Sequence, residues 1–203
     1  MTSLRRVVPM LAAASLALAG ALPLAAQAPA PTAQLPVLLT SCGQSPGPER
    51  VKFFLNRLQL QHEFLARATA QDLVAAQQGG KPYKALIIVT GASLKGMGAA
   101  GVSMPQELAR TEALIAEAKR QGITVIGSHV EGMARRAQGA AAGDNSDEQS
   151  IDAVMPNAAF MIVRKDGDED RRFTVISQKS NIPLLLFEKN MELGELLGRV
   201  FGK

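Results

Sequence analysis

The sequence predicts an α/β fold: a three-layer αβα sandwich on a mostly parallel sheet of five to six strands, with flavodoxin-like or Rossmann-like connections. Three observations predict it. Leu86-Ile87-Ile88-Val89 and Ile123-Thr124-Val125-Ile126 are largely apolar, β-branched runs, the pattern of strands buried on both faces of a parallel sheet. Between such runs the hydrophobic period becomes helical, and strand and helix patterns alternate along the chain. Two of the strands end in Gly/Ser-rich stretches, SCGQSPG and GASLKGMGAAG, ahead of helical patterns.

In order, Leu35 to Thr40 (LPVLLT) reads as the first strand, followed by a helix with Pro48 in its first turn. Val51, Phe54, Leu55 and Leu58 give that helix one apolar face. Leu60 to Leu65 alternates as a second, partly exposed strand, and Thr69 to Gln78 as a short helix. The strand ending at Thr90 leads into an expected glycine-rich loop that reaches Gly101. Ser103 with Gln106 forms a capping box for a helix over Met104 to Gln121, with Met104, Leu108, Thr111, Ile115 and Ala118 on one stripe. Gly122 ends it, and Ile123 to Gly127 is the next strand.

The HVEGMARRAQGAAAGDN segment after it reads as a long loop, the kind that serves as a lid or stays disordered. Ser146 and Gln149 pattern a second capping box, for a helix that Pro156 closes. Ala159 to Val163, Arg172 to Ser180 and Ile182 to Phe187 follow as strand, helix and strand. Asn190 caps a final helix with Leu193, Leu196, Leu197 and Val200 inside.

Residues 1–28 have the form of a secretory signal peptide: Arg5 and Arg6, an apolar Val7 to Leu24, and Ala26-Gln27-Ala28 as the cleavage signal. Residues 29–34 are a Pro-rich linker and 35–203 one domain, expected in the periplasm or secreted. No second apolar run is long enough to span a bilayer. Removing Arg5 and Arg6 from 22 basic residues leaves 20 against 18 acidic ones, scattered along the chain. With no Trp and one Tyr there is also no stacking platform, so nucleic acid is not an expected partner. Cys42 is the single cysteine, which excludes an internal disulfide.

Ligands of such sheets bind outside the carboxyl ends of the strands, where strand order reverses. A flavodoxin-like order 2-1-3-4-5 would set the loops after Thr40 and Thr90 side by side, with Ser128-His129 beside them. Backbone N–H groups of Gly43, Gln44, Ser45 and Gly47, and of Gly91, Gly96, Gly98 and Gly101, would then face a small anionic or polar ligand, with Ser93 and Lys95 as side-chain partners. Gly96 to Gly101 matches GxGxxG, but it follows a later strand and precedes its helix, so it is not a dinucleotide fingerprint. Lys95 precedes its glycine, so this is no Walker loop either. The plainer reading is a turn that needs glycine for positive φ.

Cys42, in a CxxS context between strand and helix, and His129, at a strand end, are the candidate nucleophile and base of a thiol-dependent or redox alternative. The plainer readings are a small half-buried cysteine and a structural histidine. A thioredoxin-like version would require antiparallel strands. No second histidine stands at metal-ligand spacing, and Asp166 to Asp170 lacks the glycine and glutamate of a calcium loop and reads as a solvated turn. No metal or cofactor is called for. An accessory protein that binds a protein partner remains the third class.

Through TSCGQSPG (Thr40–Gly47), GASLKGMGAAG (Gly91–Gly101) and KRQGITVIGSHVEG (Lys119–Gly132), the chain resembles an uncharacterised family of exported bacterial proteins with a domain of unknown function. The resemblance implies export and an α/β fold, and no assigned activity or catalytic residue.

Overall fold

The structure, a computed structural model, describes residues 30–137 and 144–203. The segment read as a signal peptide lies outside these residues, as does the middle of the long loop. Six parallel strands form one sheet: β1 (Val37–Cys42), β2 (His62–Phe64), β3 (Ala85–Thr90), β4 (Thr124–His129), β5 (Phe160–Arg164) and β6 (Leu184–Phe187). Their order is β2-β1-β3-β4-β5-β6, every neighbouring pair parallel. This is the expected flavodoxin-like order with one strand added, and it excludes the antiparallel thioredoxin alternative. The helices are α1 (Gly47–Arg57), α2 (Ala70–Gln78), α3 (Leu94–Ala100), α4 (Met104–Arg120), α5 (Ser146–Val154), α6 (Arg172–Ser180) and α7 (Asn190–Val200).

The sheet residues alternate between two cores. Val37, Leu39, Ile87, Val89 and Ile162 pack against Phe54 and Leu55 of α1 and Leu193 and Leu197 of α7. Leu38, Leu86, Ile88 and Val125 meet Leu73 of α2 and Leu114, Ile115 and Ala118 of α4 on the other face. Met161 and Val163 continue that face under Ile151 of α5 and Phe173 and Ile176 of α6. Because β1, β3 and β5 are buried on both faces, they read as largely apolar runs. The linker is not free: the Ala33 N–H donates to the Val200 carbonyl at 2.9 Å, and Ala33 and Leu35 pack on the core. Among the described residues no helix is long and apolar enough to cross a membrane.

Four expectations are corrected. β1 spans Val37–Cys42 rather than Leu35–Thr40, so Cys42 ends the strand, while Pro48 stands in the first turn of α1 as expected. The glycine-rich loop is largely helix: Ser93 caps α3, its hydroxyl accepting from the Gly96 N–H at 3.0 Å. The reason lies in the other residues of the stretch, since Leu94, Lys95, Met97, Ala99 and Ala100 are helix formers that outweigh two glycines once a cap is present. Two helix caps shift by one residue: Asn145, not Ser146, is the N-cap of α5, and Lys189, not Asn190, that of α7. Asp168 is no solvated turn residue: it is buried and accepts from the N–H groups of Phe173 and Thr174 and from the Thr174 hydroxyl.

Candidate functional site

The loops after β1 and β3 do meet at the carboxyl edge of the sheet. Gln44 and Ala92 form an antiparallel bridge, and the Ser93 N–H donates to the Gly43 carbonyl at 2.8 Å. The segment after β4 joins them, where Arg135 Nη1 donates to the Ala92 carbonyl at 2.9 Å. The close approach demands glycine. Gly43 sits at φ +101, and a Cβ there would lie 2.6 Å from the Gly91 oxygen. Gly91, at φ +138, backs onto Arg135 and the Ser45 hydroxyl.

Several of the N–H groups expected to hold an anion, and that of Ala92 beside them, are held by the chain itself. Gly43 N donates to Glu107 Oε2 (3.2 Å), Gly47 N to Glu131 Oε2 (3.1 Å) and Ala92 N to Asp147 Oδ1 (2.6 Å). Gly91 N donates to the Ser150 hydroxyl at 3.0 Å. Gln44, in the left-handed region at φ 57, turns its amide to Ser41, Ala66 and Glu107. Ser45 is buried, its hydroxyl accepting from Gly47 N at 3.3 Å. Gly98 lies within α3 and Gly101 is its left-handed C-cap; a Cβ on either would meet nothing within 4 Å. Neither belongs to the edge. Lys95 is exposed and has no ion pair among the described residues.

Glu107 is the residue that organises this edge. It is 1% exposed on α4, and its carboxylate accepts from Gly43, Gln44 and both Nε and Nη2 of Arg110 (3.1 and 3.0 Å). Burial opposes its charge, yet Arg110, Gln44 and Gly43 together hold its carboxyl below the usual glutamate value. Arg110 also donates to the carbonyls of Ala68 and Ser41, tying the β2–α2 connection to β1. Asp147, by contrast, has its pKa raised, chiefly by burial.

Cys42 and His129 are not brought together. Strand β3 lies between them, which sets them two strand spacings or about 10 Å apart. Burial pushes the Cys42 thiol up to about 11, with the Thr111 hydroxyl and Arg110 only partly offsetting it. A thiol so placed is the opposite of an activated nucleophile. His129 is fully buried at the end of β4: Nε2 donates to the Gly132 carbonyl (3.0 Å), which fixes Nδ1 as acceptor for the Thr90 hydroxyl (3.1 Å). Phe173 packs on the ring, with centroids 5.0 Å apart. Burial first, then Arg136, lowers its pKa, so the imidazole is neutral and fully engaged.

That neutrality has a measurable consequence. In the unfolded chain a histidine takes up its proton near pH 6.5, and folded His129 does so only at lower pH. Its contribution to stability is therefore complete above about pH 6.5 and is lost as pH falls towards the folded pKa, by up to about 1.4 kcal/mol per pH unit. Thermal melts between pH 7.5 and 5.5 should show this decline, and His129→Gln should flatten it. An equal slope in that variant would assign the decline to other groups.

Sequence reading missed Glu107, Arg110, Glu131, Asp147 and Ser150. One signal was present: Glu107 stands on the apolar stripe of α4, three residues after Met104 and four before Thr111, with Arg110 at i+3. A charge on a buried stripe with an opposite charge one turn away marks a buried ion pair.

The chain belongs to the DUF6305 family. That domain of unknown function spans residues 34–201. A comparison with curated proteins finds no match. Among solved structures the chain is similar to a protein of the G-D-S-L family from Desulfitobacterium hafniense, at 15% identity over 81% of this chain and 98% of that one, with a TM-score of 0.36. It is also similar to the psychrotrophic esterase EstA from a Pseudoalteromonas species, at 12% identity over 74% and 76% of the two chains, with a TM-score of 0.32. A GDSL-like lipase from Bacteroides thetaiotaomicron matches at 13% identity over 74% and 66%, with a TM-score of 0.32. Likeness at this level carries no argument about chemistry.

Proposed function

We propose that this chain is an exported binding module whose carboxyl edge takes a small anionic or polar ligand through side chains, with Lys95 and Arg135 as its cationic contacts. One observation carries the reading: where the loops after β1 and β3 meet, Lys95 is exposed with no ion pair among the described residues and Arg135 reaches the Ala92 carbonyl. The N–H groups of Gly43, Gly47 and Ala92 are taken by Glu107, Glu131 and Asp147, so they are not open to a ligand. With those donors engaged, an incoming anion meets Lys95, which is exposed, and Arg135, whose side chain is 29% exposed beside Glu131. The thiol-enzyme alternative lacks both the contact between Cys42 and His129 and an ionisable thiol near neutral pH.

Thermal shift with inorganic phosphate, sulfate and a panel of small carboxylates tests the proposal. A ligand at 100 times its Kd adds about 2.7 kcal/mol to stability, roughly 5–10 °C for a domain of this size. The shift should disappear in Lys95→Glu. A panel without any shift, or a shift that Lys95→Glu retains, would remove this edge as the binding site.

A further inference from the structure

We propose that β6 is the seam of a homodimer, in which the β6 strands of two copies pair antiparallel about Leu185 and join the two sheets into one of twelve strands. Among the described residues β6 is an edge strand, paired only with β5. The Met161 N–H donates to the Pro183 carbonyl, and the parallel register sets Met161 against Leu184. In such a ladder Pro183, Leu185 and Phe187 turn their backbone groups to β5, while those of Leu184 and Leu186 point outward.

Both ends of this outward row are closed. Before it, the Ile182 N–H donates to the Ser177 carbonyl and the Ile182 carbonyl accepts from the Ser177 hydroxyl at 2.6 Å. After it, the Glu188 N–H donates to Glu192 Oε2 at 2.7 Å. The open groups are those of two residues placed symmetrically about Leu185. A two-fold axis through Leu185 sets Leu184 opposite Leu186 of the second copy and Leu186 opposite its Leu184. Each pair exchanges two N–H···O bonds, four in all.

The side chains suit the same partner. β6 carries no charge or bulge to guard its edge, the usual protection of an exposed strand. Leu186 is 42% exposed and Val175 of α6, on the same face, 39%. The two-fold would bring both residues from each copy together in one apolar seam. It also brings Glu188, which already pairs with Lys165 of its own chain, opposite the start of the second strand, where Lys179 stands exposed in the last turn of α6 as a second cation for it. The other edge strand offers no such row: β2 has three residues and carries Glu63, which accepts from the Tyr83 hydroxyl.

Sedimentation equilibrium over a concentration series tests the proposal. The wild-type chain should behave as a dimer, and both Leu186→Pro and Leu186→Lys should be monomeric. Leu186→Pro removes an outward N–H and leaves the β5 ladder whole, whereas Leu186→Lys puts a charge into the seam. Far-UV circular dichroism should show both variants folded, and Phe53→Ser on α1 should remain dimeric. If Leu186→Pro does not fold, Leu186→Lys decides together with amide exchange at Leu184 and Leu186, whose protection should rise with protein concentration. A monomeric wild type, a dimer that survives Leu186→Lys, or exchange independent of concentration would overturn the assignment.

Discussion

Replacing Glu107 with alanine should destabilise the fold by about 3–5 kcal/mol, the cost of breaking a buried ion pair from one side. Glu107 is 1% exposed and the Arg110 side chain 10%. Without the carboxylate, the guanidinium retains only the Ala68 and Ser41 carbonyls, and the Gly43 N–H is left buried without its acceptor. The melting temperature should fall by roughly 10 °C. Glu107→Gln keeps the shape and one acceptor and should lose less. The double variant Glu107→Leu with Arg110→Leu removes both charges, and should recover much of the loss if the uncompensated guanidinium is its main source. Thermal and urea unfolding of the three variants check this. A loss below about 1 kcal/mol for Glu107→Ala would show that the carboxylate does not hold the loops.

The sheet was legible because its strands obey a rule with little context in it. β1, β3 and β5 are covered on both faces, so burial alone dictates VLLT, LIIVT and FMIV, and helices between them follow from chain length and period. Even the strand order was available, since a βα alternation with its main glycine turns after the first and third strands fits a switch point there. The ends of elements were less legible. β1 and β4 continue to Cys42 and His129 through Ser41 and Ser128, polar residues that break the apolar run but pair in the same ladder.

The site was legible as a place and not as a set of contacts. Glycine density reports that backbones approach closely, and it does not say whether the partner is a ligand or another loop. At Gly43 the partner is Gly91, and the donors released by that contact fall to Glu107, Glu131 and Asp147, which lie 64, 84 and 55 residues from the groups they accept from. Separations of that size leave no local pattern. His129 shows the same limit, because a histidine at a strand end looks alike whether it faces a substrate or, as here, Thr90, Gly132 and Phe173.

Two glycines of one short helix should respond to alanine with opposite signs. Gly96 lies in the first turn of α3 with ordinary helical backbone, but a Cβ there would overlap the carbonyl oxygen of Gln44, whose backbone is pinned by the bridge to Ala92. Backbone cannot swing aside as a flexible side chain can, so Gly96→Ala must push the loop after β1 away from α3. That strain should cost about 2–4 kcal/mol, the scale of overpacking a well-filled interior. Gly98, half a turn further on, has open space where its Cβ would be and is exposed. There Gly→Ala brings only the gain in helix propensity, about 0.5–1 kcal/mol of added stability. Parallel urea titrations of the two variants measure the contrast. Equal responses would mean that the GxGxxG spacing has another origin; opposite ones would identify Gly96 as the contact at which α3 closes on β1.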